Sequence, residues 1–436
     1  MIADFALDSR EATPGALFLA IRGARADGHD HAEEAIARGA VAALVERRIG
    51  VPGLLAADLV EALARFGRSV RDEFAGPVVG ITGSNGKTAT KEFAAAALTP
   101  LGPVLKSAGN RNTEYTSPLA WAELEPEHRA ATIEMAMRGF GQIAHLRSIS
   151  KPTVSVITMI GSAHVEMVGS REGIARAKSE IVRADELAPD PEHAILWLED
   201  DFYGYLRSAC APSTRVLTFG FGPDADAHVV GYRAVDWSRC VVRLRVMGVG
   251  VEAELPTVGR HQALNAAAAL LAAWACGVDP TRAAEALACS KLPPMRLEPI
   301  SLGEATVLVD TYNASPDSAI AAVRTLAELP CTGRRIAVIG EMLELGAFAE
   351  SGHRQVGRAL AEADLDHVVL IGGFTDFCAS EAIRTGFPED RLTRARDLDD
   401  VTRFLSSLGP GDLVLLKASR ALGLERALGP LRGATA

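Results

Sequence analysis

Short apolar runs separated by longer amphipathic segments set the rhythm of the chain. From residue 76 the runs "PVVGIT", "ATIEMAM", "TVSVITMI", "HAILWLE" and "RVLTFGF" alternate with the helix-like segments "KEFAAAAL", "FGQIAHLRSI" and "REGIARAKSEIVRADEL". That alternation predicts a mainly parallel sheet covered by helices. Ahead of it, "GALFLAIRG" predicts a strand, and "HAEEAIARGAVAALVER" a helix ending at Gly39 and a second strand. "VEALARFGRSVRDEF" has the i, i+3, i+4 apolar spacing of an amphipathic helix. Residues 228–256 change to strand-like alternation with turn residues, which predicts a small antiparallel addition, and two helices follow at 260–276 and 281–289. The Pro-rich "SKLPPMRLEP" (290–299) predicts a linker. Beyond it "ATVLVDTY", "RRIAVIGEM", "HVVLIGG" and "DLVLLKAS" restart the pattern. The expectation is an α/β protein of three domains: a small unit over 1–75, a central mononucleotide-binding unit over 76–294, and a Rossmann-like unit over 295–436.

A chain of 436 residues fits that count, and 48% hydrophobic with 23% charged residues is ordinary globular composition. The net charge of −10 argues against a general nucleic-acid binder, though not against local phosphate binding. No apolar run approaches the ~20 residues of a spanning helix. The longest, "ALNAAAALLAAWACGV" (263–278), contains Asn265 and predicts a buried helix. The opening "MIADFALDSREATPG" has no basic start followed by an apolar core, so no secretion signal is expected. Six cysteines without a C-x-x-C pair predict buried thiols and a cytoplasmic setting. Lysine occurs at seven positions only (87, 91, 106, 151, 178, 291, 417), so each one in a suggestive setting is informative.

One stretch carries chemistry by itself. In "VVGITGSNGKTATKEF" (78–93) a strand runs into a glycine turn, then Lys87 and Thr88, then a helix. Glycines at 80, 83 and 86 permit positive φ and remove Cβ atoms, so backbone N–H groups across Gly83, Ser84, Asn85 and Gly86 can face phosphate oxygens. The following helix adds the positive end of its dipole. Lys87 can reach terminal phosphates and Thr88 can place a hydroxyl on Mg²⁺. The alternative is a Gly-rich turn with a surface lysine. The spacing differs from G-x-x-x-x-G-K-[ST], which needs glycine where Ile81 stands.

"GITGSNGKT" resembles the T-G-x-x-G-K-[ST] loop of the Mur ligases and folylpolyglutamate synthetases, a family of ATP-dependent amide-forming ligases. The resemblance spans essentially the whole chain. Residues 7–45 are similar to the UDP-sugar-binding N-terminal domain of that family. "IEMAMRGFGQIAHL", "GSAHVEMVGSREGIARAKSEI", "GRHQALNAAAAL", "DTYNASPDS" and "GEMLELG" resemble the branch that completes the peptidoglycan pentapeptide precursor. The implied reaction joins D-alanyl-D-alanine to a UDP-N-acetylmuramoyl-tripeptide through an acyl phosphate, with ATP and two Mg²⁺ ions. Such chemistry gathers three negative partners and needs cations more than acids or bases.

The resemblance also implies roles. Glu134, ending "ATIEMAM", would ligate Mg²⁺ beside Thr88, at the strand end where α/β sheets place ligand groups. His164 in "MIGSAHVEM" would ligate the second ion, although Mg²⁺ prefers oxygen. Lys178, by bare reading an exposed helical lysine, would be carbamylated and so become a carboxylate-bearing ligand. Lys87, Glu134, His164 and Lys178 are then the catalytic set. Asn265 offers the donor–acceptor pair an adenine edge needs, with Gln262 nearby and His261 on the same helix face. Arg296, Asp310 and Tyr312 would reach ATP after domain closure, with Lys417 and Ser419 facing the same cleft. Ser9 and Arg10 would hold the UDP end, and Asn110 and Asn112 the peptide carboxylate. A monomer is expected, because three domains must move against each other.

Three places depart from the family pattern: Thr113 and Thr116 in the peptide segment, Met295 where glycine is common, and Ala418 in "KAS". They leave open a ligase joining another acid and amine. A nucleotide-binding protein without catalysis is a further alternative. The joint presence of Lys87, Thr88, Glu134, His164 and Lys178 speaks against it.

Overall fold

The apolar runs assemble into three separate sheets. The structure, a computed structural model, describes residues 2–23, 26–163 and 165–432. The first sheet is all parallel, in the order Asp4–Ala6, Ala16–Leu19, Ala42–Val45, Gly53–Leu55. The helix Leu59–Glu73 leads out of it, with the Asp58 side chain accepting from the N–H of Glu61 at 2.9 Å as an N-cap. This helix serves two units. Leu59 and Leu63 pack with Leu17, Leu19 and Leu44, while Ala64 joins the central core. Gly67 permits the approach, since a Cβ there would lie 2.8 Å from Ile149 Cγ2.

The central sheet has nine strands. Their order is Val249–Leu255, Cys240–Val246, Ala227–Ala234, Arg215–Gly220, His193–Trp197, Val154–Ile157, Val78–Thr82, Ala130–Glu134, Val104–Lys106. The small antiparallel addition expected over 228–256 is present: the three strands of that region pair antiparallel, and the remaining pairs are parallel. Two Ala-rich helices, Lys87–Leu98 and Arg260–Ala275, cover one face together, their small side chains letting them sit close on the sheet. The opposite face is closed by Gln142–Ser150 and Arg171–Lys178.

The C-terminal sheet runs Glu298–Leu302, Ala305–Asp310, Leu413–Lys417, Arg335–Gly340, His367–Ile371, Leu392–Ala395, parallel except for the first, antiparallel pair. Ala418 fits because its neighbour Gly340 has no Cβ; one built there would stand 2.6 Å from the Ala418 Cβ.

Two expectations need correction. The segment "REGIARAKSEIVRADEL" is helical only to Lys178, followed by a 3-10 turn at Ser179–Ile181. Ser179 Oγ donates back to the Arg176 carbonyl at 2.8 Å, and Asp185 pairs with the buried Arg147 at 2.7 Å, so this stretch is used for tertiary contacts. The strands Gly53–Leu55, Val104–Lys106, Glu298–Leu302 and Leu392–Ala395 were not evident from the pattern. Each lies at a sheet edge, where little apolar alternation is required.

Candidate functional site

Strand Val78–Thr82 lies between Ala130–Glu134 and Val154–Ile157, and all three point their C-terminal ends the same way. That is the crevice where open α/β sheets bind ligands. Gly83 (φ +149°) and Gly86 (φ +83°, the N-cap of the following helix) shape the loop there. A Cβ on Gly83 would collide with Thr158 Oγ1, and one on Gly86 with Asn265 Oδ1. Gly80 is different. It lies inside the strand without positive φ, and its small size instead accommodates Pro152, 3.0 Å from a built Cβ. Ser84 N–H donates to the Met159 carbonyl at 2.9 Å, and Thr158 Oγ1 to the Asn85 carbonyl at 2.5 Å, tying the loop to the neighbouring strand. Ser84 Oγ is buried with no hydrogen-bond partner among the described residues.

Beyond the loop, Lys87 folds its Nζ onto the carbonyls of Gly83 (2.8 Å) and Ser84 (3.2 Å). Burial pushes its pKa down from the ordinary lysine range, Glu134 opposes that shift, and Arg296 adds to it. Glu134 is 2% exposed. Its Oε1 accepts from Asn112 Nδ2 at 2.8 Å, and its Oε2 is buried with no hydrogen-bond partner among the described residues. Lys178 is also 2% exposed, so the reading of an exposed helical lysine is overturned. Desolvation moves its pKa well below the ordinary value, helped by Lys87 and countered by Glu134. Such a lysine is held toward its neutral amine. One buried carboxylate thus stands within electrostatic reach of the half-buried Lys87 and the buried Lys178. His164 lies outside the described residues.

The C-terminal sheet aims its own strand ends at the same place. Arg296 Nη2 donates to Thr88 Oγ1 at 3.1 Å while its guanidinium stacks 4.3 Å from the Tyr312 ring centroid. Met295 and Leu297, on either side of Arg296, both have positive φ (60° and 53°). Position 295 is thus one where glycine would sit without strain. Lys417 Nζ pairs with Asp310 Oδ2 at 2.8 Å and donates to the Asn313 carbonyl at 2.8 Å. Three further bonds join the domains: Ser315 Oγ to Asn85 Oδ1 (3.2 Å), and Ser162 N–H and Oγ to Asp317 Oδ2 (3.0 Å each).

A cavity of about 800 Å³ connects these groups. Ser84 to Thr88, Asn110, Asn112, Glu134, Asn265, Arg296, Asp310, Tyr312 and Lys417 all line it. Asn265 donates to Gln262 Oε1 at 3.0 Å and accepts from Thr90 Oγ1 at 3.3 Å, so its amide is partly used inside the protein. Five expected residues among those described do not line this cavity: Gly83, Lys178, Ser9, Arg10 and Ser419. Ser419 Oγ accepts from the N–H of Leu343 at 2.9 Å and fixes that loop instead. Ser9 Oγ donates to Glu34 at 2.7 Å, and Arg10 is an exposed partner of Asp8 in the N-terminal unit. The sequence reading missed Tyr115, Arg138, Gln142, Trp197 and Arg324 on the cavity wall. Only Trp197, at a strand end, carried a positional signal.

Among the described residues no three His, Cys, Asp or Glu side chains cluster to hold a metal by themselves. Glu134 and Thr88, whose side chains carry oxygens, both line the cavity, and Glu134 Oε2 is buried without a hydrogen-bond partner among the described residues. That set suits Mg²⁺, which is commonly held by one or two carboxylates together with substrate phosphates.

A phosphate loop with Lys87 and the buried Lys178 near one sheet's switch point, roofed by a Rossmann-like sheet and flanked by a small N-terminal one, define a three-domain nucleotide-dependent ligase. Family models agree in chain order. The Mur ligase catalytic-domain model matches residues 2–68, the middle-domain model 81–273, and the glutamate ligase domain model 295–420. The chain belongs to the Mur ligase family. It is 32% identical over 432 residues to the UDP-N-acetylmuramoyl-tripeptide–D-alanyl-D-alanine ligase of Bacillus subtilis, covering 98% of this chain and 92% of the relative. Identity to the Escherichia coli enzyme of the same name is 36% over 376 residues, 84% of this chain and 80% of the relative. Among solved structures, MurF from Acinetobacter baumannii superimposes with a TM-score of 0.87 at 33% identity, covering 99% of this chain and 94% of that one. MurF from Thermotoga maritima in complex with ADP gives 0.83 at 30% identity, covering 99% and 97%.

Proposed function

We propose that this protein joins D-alanyl-D-alanine to UDP-N-acetylmuramoyl-tripeptide at the expense of ATP, in peptidoglycan precursor synthesis. The observation that carries this reading is the buried Glu134 carboxylate beside the phosphate loop and Lys87 in a cavity shared by two domains, with the buried Lys178 within its electrostatic reach. The tripeptide carboxylate attacks the γ-phosphorus of ATP, ADP leaves, and an acyl phosphate forms. The dipeptide amine then adds to the acyl carbon, phosphate departs, and the amine proton is released.

In this reading Lys87 leaves its loop carbonyls to neutralise charge on the transferring phosphoryl group. Thr88 and Glu134 would hold one Mg²⁺, and His164 would serve a second ion. Magnesium, when bound, supplies positive charge opposite the phosphoryl oxygens. Lys178, held toward the neutral amine, is set to take up CO₂ as a carbamate. Asn265 and Gln262 serve the adenine. Arg296, Asp310, Tyr312 and Lys417 reach the nucleotide from the C-terminal domain. That domain also excludes water from the acyl phosphate. Asn110 and Asn112 face the peptide carboxylate, while Ser9 and Arg10 are reserved for the UDP end. The enzyme works as a cytoplasmic monomer, its domains dividing near residues 75 and 294.

The test is phosphate release with ATP, Mg²⁺, UDP-N-acetylmuramoyl-tripeptide and D-alanyl-D-alanine. Release on that pair supports the reading. A different acid–amine pair is the second reading, and it rests on the peptide segment. Thr113 Oγ1 and Thr116 Oγ1 lie 3.0 Å apart and close a turn beside the cavity, where the family pattern differs. Release only on another pair would favour it.

A further inference from the structure

Lys91 stands four residues after Lys87 on the same helix and is fully buried, at 0% exposure, yet it does not line the cavity. Its Nζ donates to the carbonyls of Ser107 (2.6 Å) and Gly109 (3.3 Å) and lies 3.0 Å from Glu92 Oε1. Lys106 takes the other Glu92 oxygen at 2.6 Å. Burying an ammonium carries a desolvation penalty, and an apolar side chain of similar volume could fill the space without it. The charge is therefore explained by what it holds.

What it holds is the entry to the peptide segment. Ser107 is fixed to the central sheet twice: its N–H donates to the Thr132 carbonyl (3.1 Å) and its Oγ accepts from the N–H of Glu134 (3.1 Å). Five residues on, Asn112 donates to Glu134 Oε1 at 2.8 Å, and its carbonyl accepts from the N–H of Ala136 at 3.0 Å. Between these points the chain turns through Gly109 (φ +52°), where a built Cβ would meet nothing within 4 Å. Lys91 supplies the tie from that turn to the phosphate-loop helix.

We propose that Lys91 is a positioning residue. It locks segment 107–112 to the helix that begins with Lys87, so that the nucleotide cradle and the Asn112 amide keep one geometry about Glu134. Its kinetic consequence rests on the acid-activating reaction proposed above; the anchoring itself does not.

The experiment uses the full chain with Lys91→Met, measured by amide hydrogen exchange and by steady-state kinetics. Exchange at 108–112 is expected to accelerate. KM for the UDP-peptide should rise roughly tenfold, as for other residues that orient a ligand-binding group, with KM for ATP within about twofold of the parent. Asn112→Ala added to Lys91→Met should lower kcat/KM little beyond Asn112→Ala alone, because both act through one arrangement. Unchanged exchange, equal rises in both KM values, or fully additive losses would overturn the proposal. Where Lys91→Met does not fold, Lys91→Gln keeps a donor without the charge and is held to the same criteria. If the parent protein releases no phosphate on the proposed pair, the functional reading fails, and the exchange data alone still decide the anchoring.

Discussion

The guanidinium of Arg296 crosses from the C-terminal unit to the central one and donates to Thr88 Oγ1 at 3.1 Å. The first helical threonine of the phosphate loop is thus held by another domain. Arg296→Ala should raise KM for ATP about tenfold or more, the range for a hydrogen bond to a charged group. Titration of ATP at saturating peptide substrate measures this. An unchanged KM would mean that the contact is incidental to nucleotide binding.

Lys178→Ala should lose about a hundredfold or more of kcat, the range for removal of a preorganised electrostatic group. A short carboxylic acid added to the assay should restore part of it by standing in for a carbamate. Full activity in Lys178→Ala would remove the residue from the mechanism.

Gly86→Ala forces a non-glycine residue to φ +83° and drives a Cβ into Asn265 Oδ1. The backbone penalty alone is about 1–2 kcal/mol. Calorimetry should show a lower Tm, and ATP binding should weaken because the cradle shifts. A variant with parental Tm and ATP affinity would contradict the geometry.

Asp317→Ala removes the acceptor for both Ser162 donors. The C-terminal domain should spend more time away from the central one, visible as a larger radius of gyration in solution scattering. An identical scattering profile would show that the remaining contacts suffice.

His261, on the cavity wall, has its pKa lowered from 6.5 to about 4, first by desolvation, with Asp310 opposing and Lys417 assisting. The unfolded chain therefore takes up this proton at a higher pH than the native one. Between about pH 6.5 and 4 the unfolded state binds more protons, so stability falls as pH falls through that window and is flat with respect to this group above it. Denaturant unfolding across that range should show the slope, and His261→Gln should reduce it. An equal slope in the variant would assign it to other groups.

Much of this site was legible in the chain. The loop 83–88 followed from strand, glycine, lysine and helix in sequence, while Glu134 was singled out by resemblance together with its siting at a strand end. Lys178 was suggested only by resemblance, since nothing in "REGIARAKSE" distinguishes a buried lysine from an exposed one. Its burial comes from packing against a sheet assembled from distant segments. Ser419 shows the opposite error: a polar residue beside Lys417 in sequence is turned by the backbone toward Leu343 and away from the cavity.

The sequence alone determined the alternation of the buried strands and their helices, the three-unit organisation and the glycine–lysine loop. These depend on local period and on backbone freedom within a few residues. Tertiary structure decided which charges meet. Arg296 and Thr88 are 208 positions apart, and Ser162 and Asp317 are 155 apart. Their pairing depends on how two sheets dock, a relation no local pattern encodes. It likewise decided which lysines lose their water, because desolvation belongs to the packed neighbourhood rather than to the residue.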